Sequence, residues 1–122
     1  MPILNVEIVM RPDEHIRPGL ARELADRTGE IFGSSPGSTW VKVYPLAGEN
    51  YAENKSPFQD ISPVFVSVLK ATLASPNELQ VEVTKLTAAV AKVCDRPEEN
   101  IHILYLPEGR GRVAFGGSLL SG

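Results

Sequence analysis

The sequence holds a single cysteine, Cys94, and only two histidines, His15 and His102, among 122 residues. One thiol cannot close an intrachain disulfide, so a cytoplasmic location is the expectation. The histidines and Cys94 share no metal-ligand spacing, so no metal site is expected. Excess charge of one sign is also missing. A net charge of −3 does not suggest nucleic acid as a partner. No apolar run reaches the length of a membrane span, and the first residues lack the basic and apolar regions of a signal peptide. What is present is ordinary for a globular chain, with 43% hydrophobic and 22% charged residues. Residues 1–122 read as one domain, large enough for a core.

Within that domain the pattern runs twice. The alternation of Leu4, Val6, Ile8 and Met10 against Asn5 and Glu7 predicts a strand over 3–10. Leu20, Leu24 and Ile31 mark the buried side of a helix over 18–32, and Gly33-Ser34-Ser35-Pro36-Gly37 stops it. A strand follows over 39–45, and then a polar loop over 47–62 with room for a short hairpin strand. The second pass begins with a strand at 63–69. A helix over 76–94 carries Leu79, Val83, Leu86, Val90 and Val93 as its stripe, with Asn77 or Ser75 as its cap. Cys94 ends that stripe and reads as structural. A strand over 100–106 and a Gly- and Arg-bearing tail complete the chain. Pro2 and Pro63, Pro36 and Pro97, and Tyr44 and Tyr105 are each separated by 61 residues. The expected fold is α+β, with two fused β-α-β repeats, about 2–62 and 63–122. They form one four-stranded sheet with two helices on one face. Its other face is left bare and apolar, which calls for a closed oligomer.

Pro2 is the residue with distinctive chemistry. If Met1 is removed, Pro2 carries a free secondary amine, a proton acceptor once its pKa falls toward working pH and a possible nucleophile. The plain alternative is that it only starts a strand, where its missing N–H costs little. Pro63 holds the same place in the second repeat but is an amide, so it cannot be a base. Arg11 and Lys70 follow the first strands of the two halves. A cation near the amine would bind a substrate carboxylate and lower the amine's pKa by like-charge repulsion. The plain alternative for both is a solvated strand end, and it is favoured for Lys70.

A start of Met-Pro-Ile, the duplicated β-α-β unit, and the closing Gly111-Arg112-Val113-Ala114-Phe115-Gly116-Gly117 resemble the tautomerase superfamily. That family spans short 4-oxalocrotonate tautomerases and longer chains of the macrophage migration inhibitory factor type. The resemblance covers essentially the whole chain. It implies a homotrimer with sheets facing inward and sites at subunit boundaries. It implies that Pro2 shuttles a proton between carbon and oxygen of an enolisable small-molecule carboxylate, with no cofactor and no metal. It further implies that Arg11 binds the carboxylate, and that Trp40 stands where short members carry a second arginine. Trp40 can wall a substrate but cannot neutralise one, and Lys42, Lys70, Arg110 and Arg112 are the available substitutes. His102 and Leu104 replace a tyrosine and an asparagine of the cytokine-like branch. Val113 and Phe115 are candidate walls, Phe115 equally a subunit-interface anchor.

The expected activity is therefore a cofactor-free tautomerase or isomerase with Pro2 as general base. The substrate-side candidates are Arg11, Trp40, Lys70, His102, Arg112, Val113 and Phe115. A decarboxylase or hydrolytic dehalogenase with protonated Pro2 as general acid is the near alternative; Glu7, Glu49, Glu53 or His102 would then activate water. A non-catalytic trimeric binding or scaffold protein is the alternative from another class.

Overall fold

The computed structural model describes residues 2–56 and 61–121. Four strands form a single sheet: β1 (Ile3–Val9), β2 (Trp40–Leu46), β3 (Val64–Leu69) and β4 (Ile101–Tyr105). Their order is β2-β1-β3-β4, so the first strand of each repeat lies at the centre. β1 pairs in parallel with β2, and β3 with β4, each pair joined through its own helix. The two halves meet along an antiparallel seam between β1 and β3, from Ile3 opposite Leu69 to Ile8 opposite Val64. The expected four-stranded α+β architecture is the observed one.

Both helices lie where the apolar stripes demanded. α1 (Leu20–Phe32) buries Leu20, Leu24 and Thr28, and Gly33 ends it in the left-handed conformation at φ 65°, where a side chain would be strained. α2 (Pro76–Cys94) starts at Ser75, whose hydroxyl accepts from Glu78 N at 3.4 Å, and buries Leu86, Val90 and Val93. Pro76 at its first position gives up no needed N–H. These helix faces pack on Leu4, Val6 and Ile8 of β1 and on Val64, Val66 and Val68 of β3 to make one core. Cys94 is buried in it, and burial pushes its thiol up to about 11, so it is an inert packing residue at neutral pH.

The opposite face of the sheet is uncovered. Trp40 and Tyr44 on β2 are each 46% exposed and Leu104 on β4 is 63% exposed. Between them the ladder sets Lys42 beside Asn5 and Asn5 beside Ser67. The side-chain oxygen of Asn5 is buried there without a hydrogen-bond partner.

Two features were not anticipated. Residues 48–50 form a short 3₁₀ turn in the polar loop, and no strand occurs in its described part; residues 57–60 lie outside the described residues. The tail is not irregular. β5 (Ala114–Phe115) and β6 (Ser118–Leu119) form a hairpin. Its two-residue loop, Gly116-Gly117, has φ of 56° and 90°, a backbone that matches the right-handed twist of the strands and that glycine adopts freely.

A third unanticipated feature, beyond the turn and the hairpin, is Arg96, which the sequence marks only as part of a helix break. Its side chain is 1% exposed. The guanidinium donates to Ser62 O (2.7 Å), Cys94 O (3.0 Å), Val9 O (2.9 Å) and both carboxylate oxygens of Glu14. It thus ties the end of β1, the approach to β3 and the end of α2 together.

Candidate active site

The seam between β1 and β3 decides which residues Pro2 can meet. Because β1 and β3 run antiparallel, the start of one lies beside the end of the other. Pro2 is buried one step before the Ile3–Leu69 pair, which places Lys70 across from it. On its other side Trp40 N donates to Pro2 O at 3.0 Å. Trp40 in turn anchors its indole N–H on Gly37 O at 2.9 Å, so the ring is fixed at the sheet edge.

The tail closes over this same end. Gly109 N donates to Lys70 O (2.8 Å) and Arg110 N to Ala71 O (3.2 Å). Gly109 is closely packed: a Cβ there would lie 3.1 Å from Val113 and 3.3 Å from Leu69, and those side chains would have to give. The hairpin then delivers Phe115 edge-on to Trp40, with ring centres 5.4 Å apart and planes at 89°. Arg112 is exposed in the turn between Gly109 and Val113. Pro2, Trp40, Lys70, Val113 and Phe115 therefore gather at one end of the sheet.

Lys70 does not project freely into that space. Its ammonium lies 2.9 Å from Glu82 Oε1 and 5.2 Å from the centre of the Phe32 ring. Tyr105 O–H donates to the other oxygen of Glu82 at 2.7 Å. Burial, together with that hydrogen bond to a carboxylate, pushes the Tyr105 phenol well above its ordinary value. Glu82 escaped the sequence reading, and Tyr105 entered it only as a mark of the repeat. The available signal was a charged residue inside the apolar stripe, between Leu79 and Leu86.

Two expected site residues lie elsewhere in the chain. Arg11 follows the far end of β1; nine residues of extended chain separate it from Pro2 by about 30 Å. Its guanidinium meets Asp95, at 3.3 Å to the carboxylate and 2.8 Å to the carbonyl. Nor are Arg11 and Lys70 counterparts: the residue 61 positions before Lys70 is Val9. A carboxylate held against Pro2 cannot also touch Arg11 of the same chain. His102 sits on the bare face at the opposite end of the sheet from Pro2, its ring 5.4 Å from Phe65, which also contacts Tyr51. Glu49 and Glu53 line an open concavity of about 980 Å³ at that same far end, with Arg11 and Tyr51. Tyr51 O–H donates to Glu53, which pushes its phenol up to about 12. Pro63, an amide, precedes β3 there, so this concavity holds no candidate amine. Glu7 is exposed on the bare face. Among the described residues no group of three or more His, Cys, Asp or Glu side chains is placed to hold a metal ion, and no helix is long and apolar enough to cross a membrane.

This architecture is the tautomerase-superfamily fold. Fused 4-OT, solved as an asymmetric trimer, matches with a TM-score of 0.77 over 96% of this chain and 94% of its own, at 14% identity. Macrophage migration inhibitory factor from Oncomelania hupensis matches with a TM-score of 0.74 over 98% and 81%, at 16% identity. FG41 malonate semialdehyde decarboxylase, inhibited by 3-bromopropiolate, matches with a TM-score of 0.68 over 93% and 88%, at 12% identity. No protein-family profile matches the sequence, and no curated protein matches it.

Proposed function

We propose that the chain is a cofactor-free tautomerase or isomerase that uses the amine of Pro2, freed by loss of Met1, as its general base. The observation that supports this reading is the gathering, at the end of the sheet where Pro2 lies, of an aromatic pair, Trp40 and Phe115, with Lys70 and Val113. Apolar walls disfavour the charged form of an amine and so keep Pro2 neutral and basic near neutral pH. Neutral Pro2 takes a proton from one atom of an enolisable carboxylate and returns it to another. Arg110 and Arg112 are exposed cations on the tail that closes this end, and Arg112 is the candidate for the carboxylate.

The assembly we propose is a cytoplasmic homotrimer with the bare faces inward. Exposed Trp40, Tyr44 and Leu104 favour a cover, and the unpartnered Asn5 oxygen favours a donor from outside the chain. Arg11 and His102 could then enter a site only across a subunit boundary. The fold likeness to a decarboxylase favours, as a second reading, the same amine acting protonated, as general acid in a decarboxylation. Without a free amine, the remaining reading is a non-catalytic trimeric scaffold.

The test is the intact mass of the purified protein, with phenylpyruvate enol and 2-hydroxymuconate ketonisation assays on the same sample. A mass short by one methionine together with turnover supports the reading. A mass that retains Met1 rules out the proline mechanism.

A further inference from the structure

One polar cluster at the Pro2 end is built at a cost that packing does not explain. Lys70 and Glu82 keep only 20% and 14% of their side-chain exposure. Burying an ion pair brings less stability than an apolar pair of similar size. Glu82 moreover interrupts the stripe that holds α2 to the core. The other end of the sheet shows that the fold does not require it. The counterpart of Lys70 there is Val9. Counting back from the left-handed cap of each helix, Gly33 and Asp95, the counterpart of Glu82 is Leu20, also buried. At these two equivalent positions charge stands beside the proline that can carry an amine and hydrocarbon beside the proline that cannot. The buried Arg96–Glu14 pair at the second end comes from other positions, with Arg96 donating to the carbonyls of Val9 and Ser62.

The ladder sets the proximity. Pro2 precedes buried Leu4 by two residues, and Lys70 follows buried Val68 by two, so both fall on the helix-covered face. Residues directly opposite on antiparallel strands have Cβ atoms about 4.5–5.5 Å apart. The ends of the Lys70 and Glu82 side chains therefore stand within about a side chain's length of the Pro2 amine, where a cation disfavours the protonated amine and an anion favours it. The remaining charges on the elements around this end are Arg27 and Glu30 on α1, Glu78 and Lys85 on α2, Lys42 on β2, and Glu108, Arg110 and Arg112 on the tail. All but half-buried Arg27 are exposed and screened by water.

We propose that Lys70 and Glu82, with Tyr105 donating to Glu82, are positioning residues that set the protonation state of the Pro2 amine. The inference rests on the reading of Pro2 as a free amine. Lys70 holds the amine neutral, and Glu82 limits how far. Tyr105 and Lys70 together occupy both oxygens of Glu82, so the carboxylate is fixed and cannot itself swing toward the substrate.

The experiment follows the amine directly, by NMR of protein carrying ¹⁵N-labelled proline as pH is varied, with a thermal melt on every variant. Lys70→Met leaves Glu82 as an uncompensated anion and raises the midpoint by about one pH unit; Glu82→Gln leaves Lys70 uncompensated and lowers it by about one. Lys70→Arg keeps the cation and holds the midpoint near that of the wild type. In the activity assay the acid limb of the pH–rate profile moves with each midpoint. A purely structural pair would move neither midpoint, or both in the same direction. Either result, with the amine titrating, overturns this inference and leaves the proline reading standing. Absence of a titrating Pro2 amine in the wild type overturns both.

Discussion

Replacing Arg96 by methionine tests whether the far end of the sheet is held by a buried guanidinium. Methionine retains much of the aliphatic stem, so the substitution isolates the head group. Three backbone carbonyls, those of Val9, Ser62 and Cys94, lose a charged donor. Each such bond is worth about 1.5–3 kcal/mol, and an unsatisfied buried acceptor costs about 1–3 kcal/mol. Removing one partner of a buried ion pair costs about 3–5 kcal/mol. Glu14 keeps 25% of its exposure, so water recovers part of its loss, and the lower end, about 3 kcal/mol, is the expectation. For a domain of this size that lowers Tm by roughly 10 °C. The assay is reversible denaturant unfolding at fixed protein concentration, since oligomerisation makes apparent stability concentration-dependent. Arg17→Met is the comparison. Its pair with Glu23 is 48% and 38% exposed, and such pairs contribute about 1 kcal/mol or less. A loss under about 1 kcal/mol for Arg96→Met would refute the clamp.

Glu14 gives the same clamp a pH signature. The hydrogen bond from Arg96 holds its carboxyl below the ordinary value of 4.5. A depressed pKa contributes stability above 4.5 that is lost as pH falls through the folded-state value; Glu14→Gln should therefore flatten the acid limb of a stability–pH profile. Pro2→Ala, which keeps a primary amine, should retain little turnover, whereas Pro63→Ala should leave the chemistry nearly unchanged; equal losses with the oligomer intact would contradict the assignment. Phe115→Ala removes the edge contact on Trp40 and should weaken catalysis about tenfold while costing little stability, because β5 lies outside the main sheet; kinetics and melts on one sample separate the two. Leu104→Lys places a charge on the bare face and should shift sedimentation from trimer to monomer if that face is the subunit contact.

The repeat was legible because period and punctuation agreed. Alternation in Leu4-Asn5-Val6-Glu7-Ile8 and steps of three and four in Leu79 to Val93 place strands and helices without reference to the rest of the chain. The seam between β1 and β3 is a tertiary fact, and it decided the site. Reading each half alone suggests that Arg11 serves the proline of its own strand. Antiparallel pairing instead sends the end of β3 to Pro2. Arg96 was opaque for a related reason. Its acceptors are main-chain carbonyls on three segments, which leave no trace in residue type. Gly116-Gly117 did carry a hairpin signal, but flanking runs of two residues are too short to show a period.

The antiparallel seam has a further consequence for how the chain comes together. The most central pair of strands joins residues roughly sixty positions apart, whereas each parallel pair closes over a single helix. Such non-local pairing slows folding. Until it forms, each half presents a strand whose open edge can accept any other strand, including one from a second molecule. Covalent fusion answers this by tethering. It keeps the missing half at an effective concentration on the order of millimolar, far above that of any competing chain. The order in which strands meet is thereby built into the chain: its own halves first, any second molecule after.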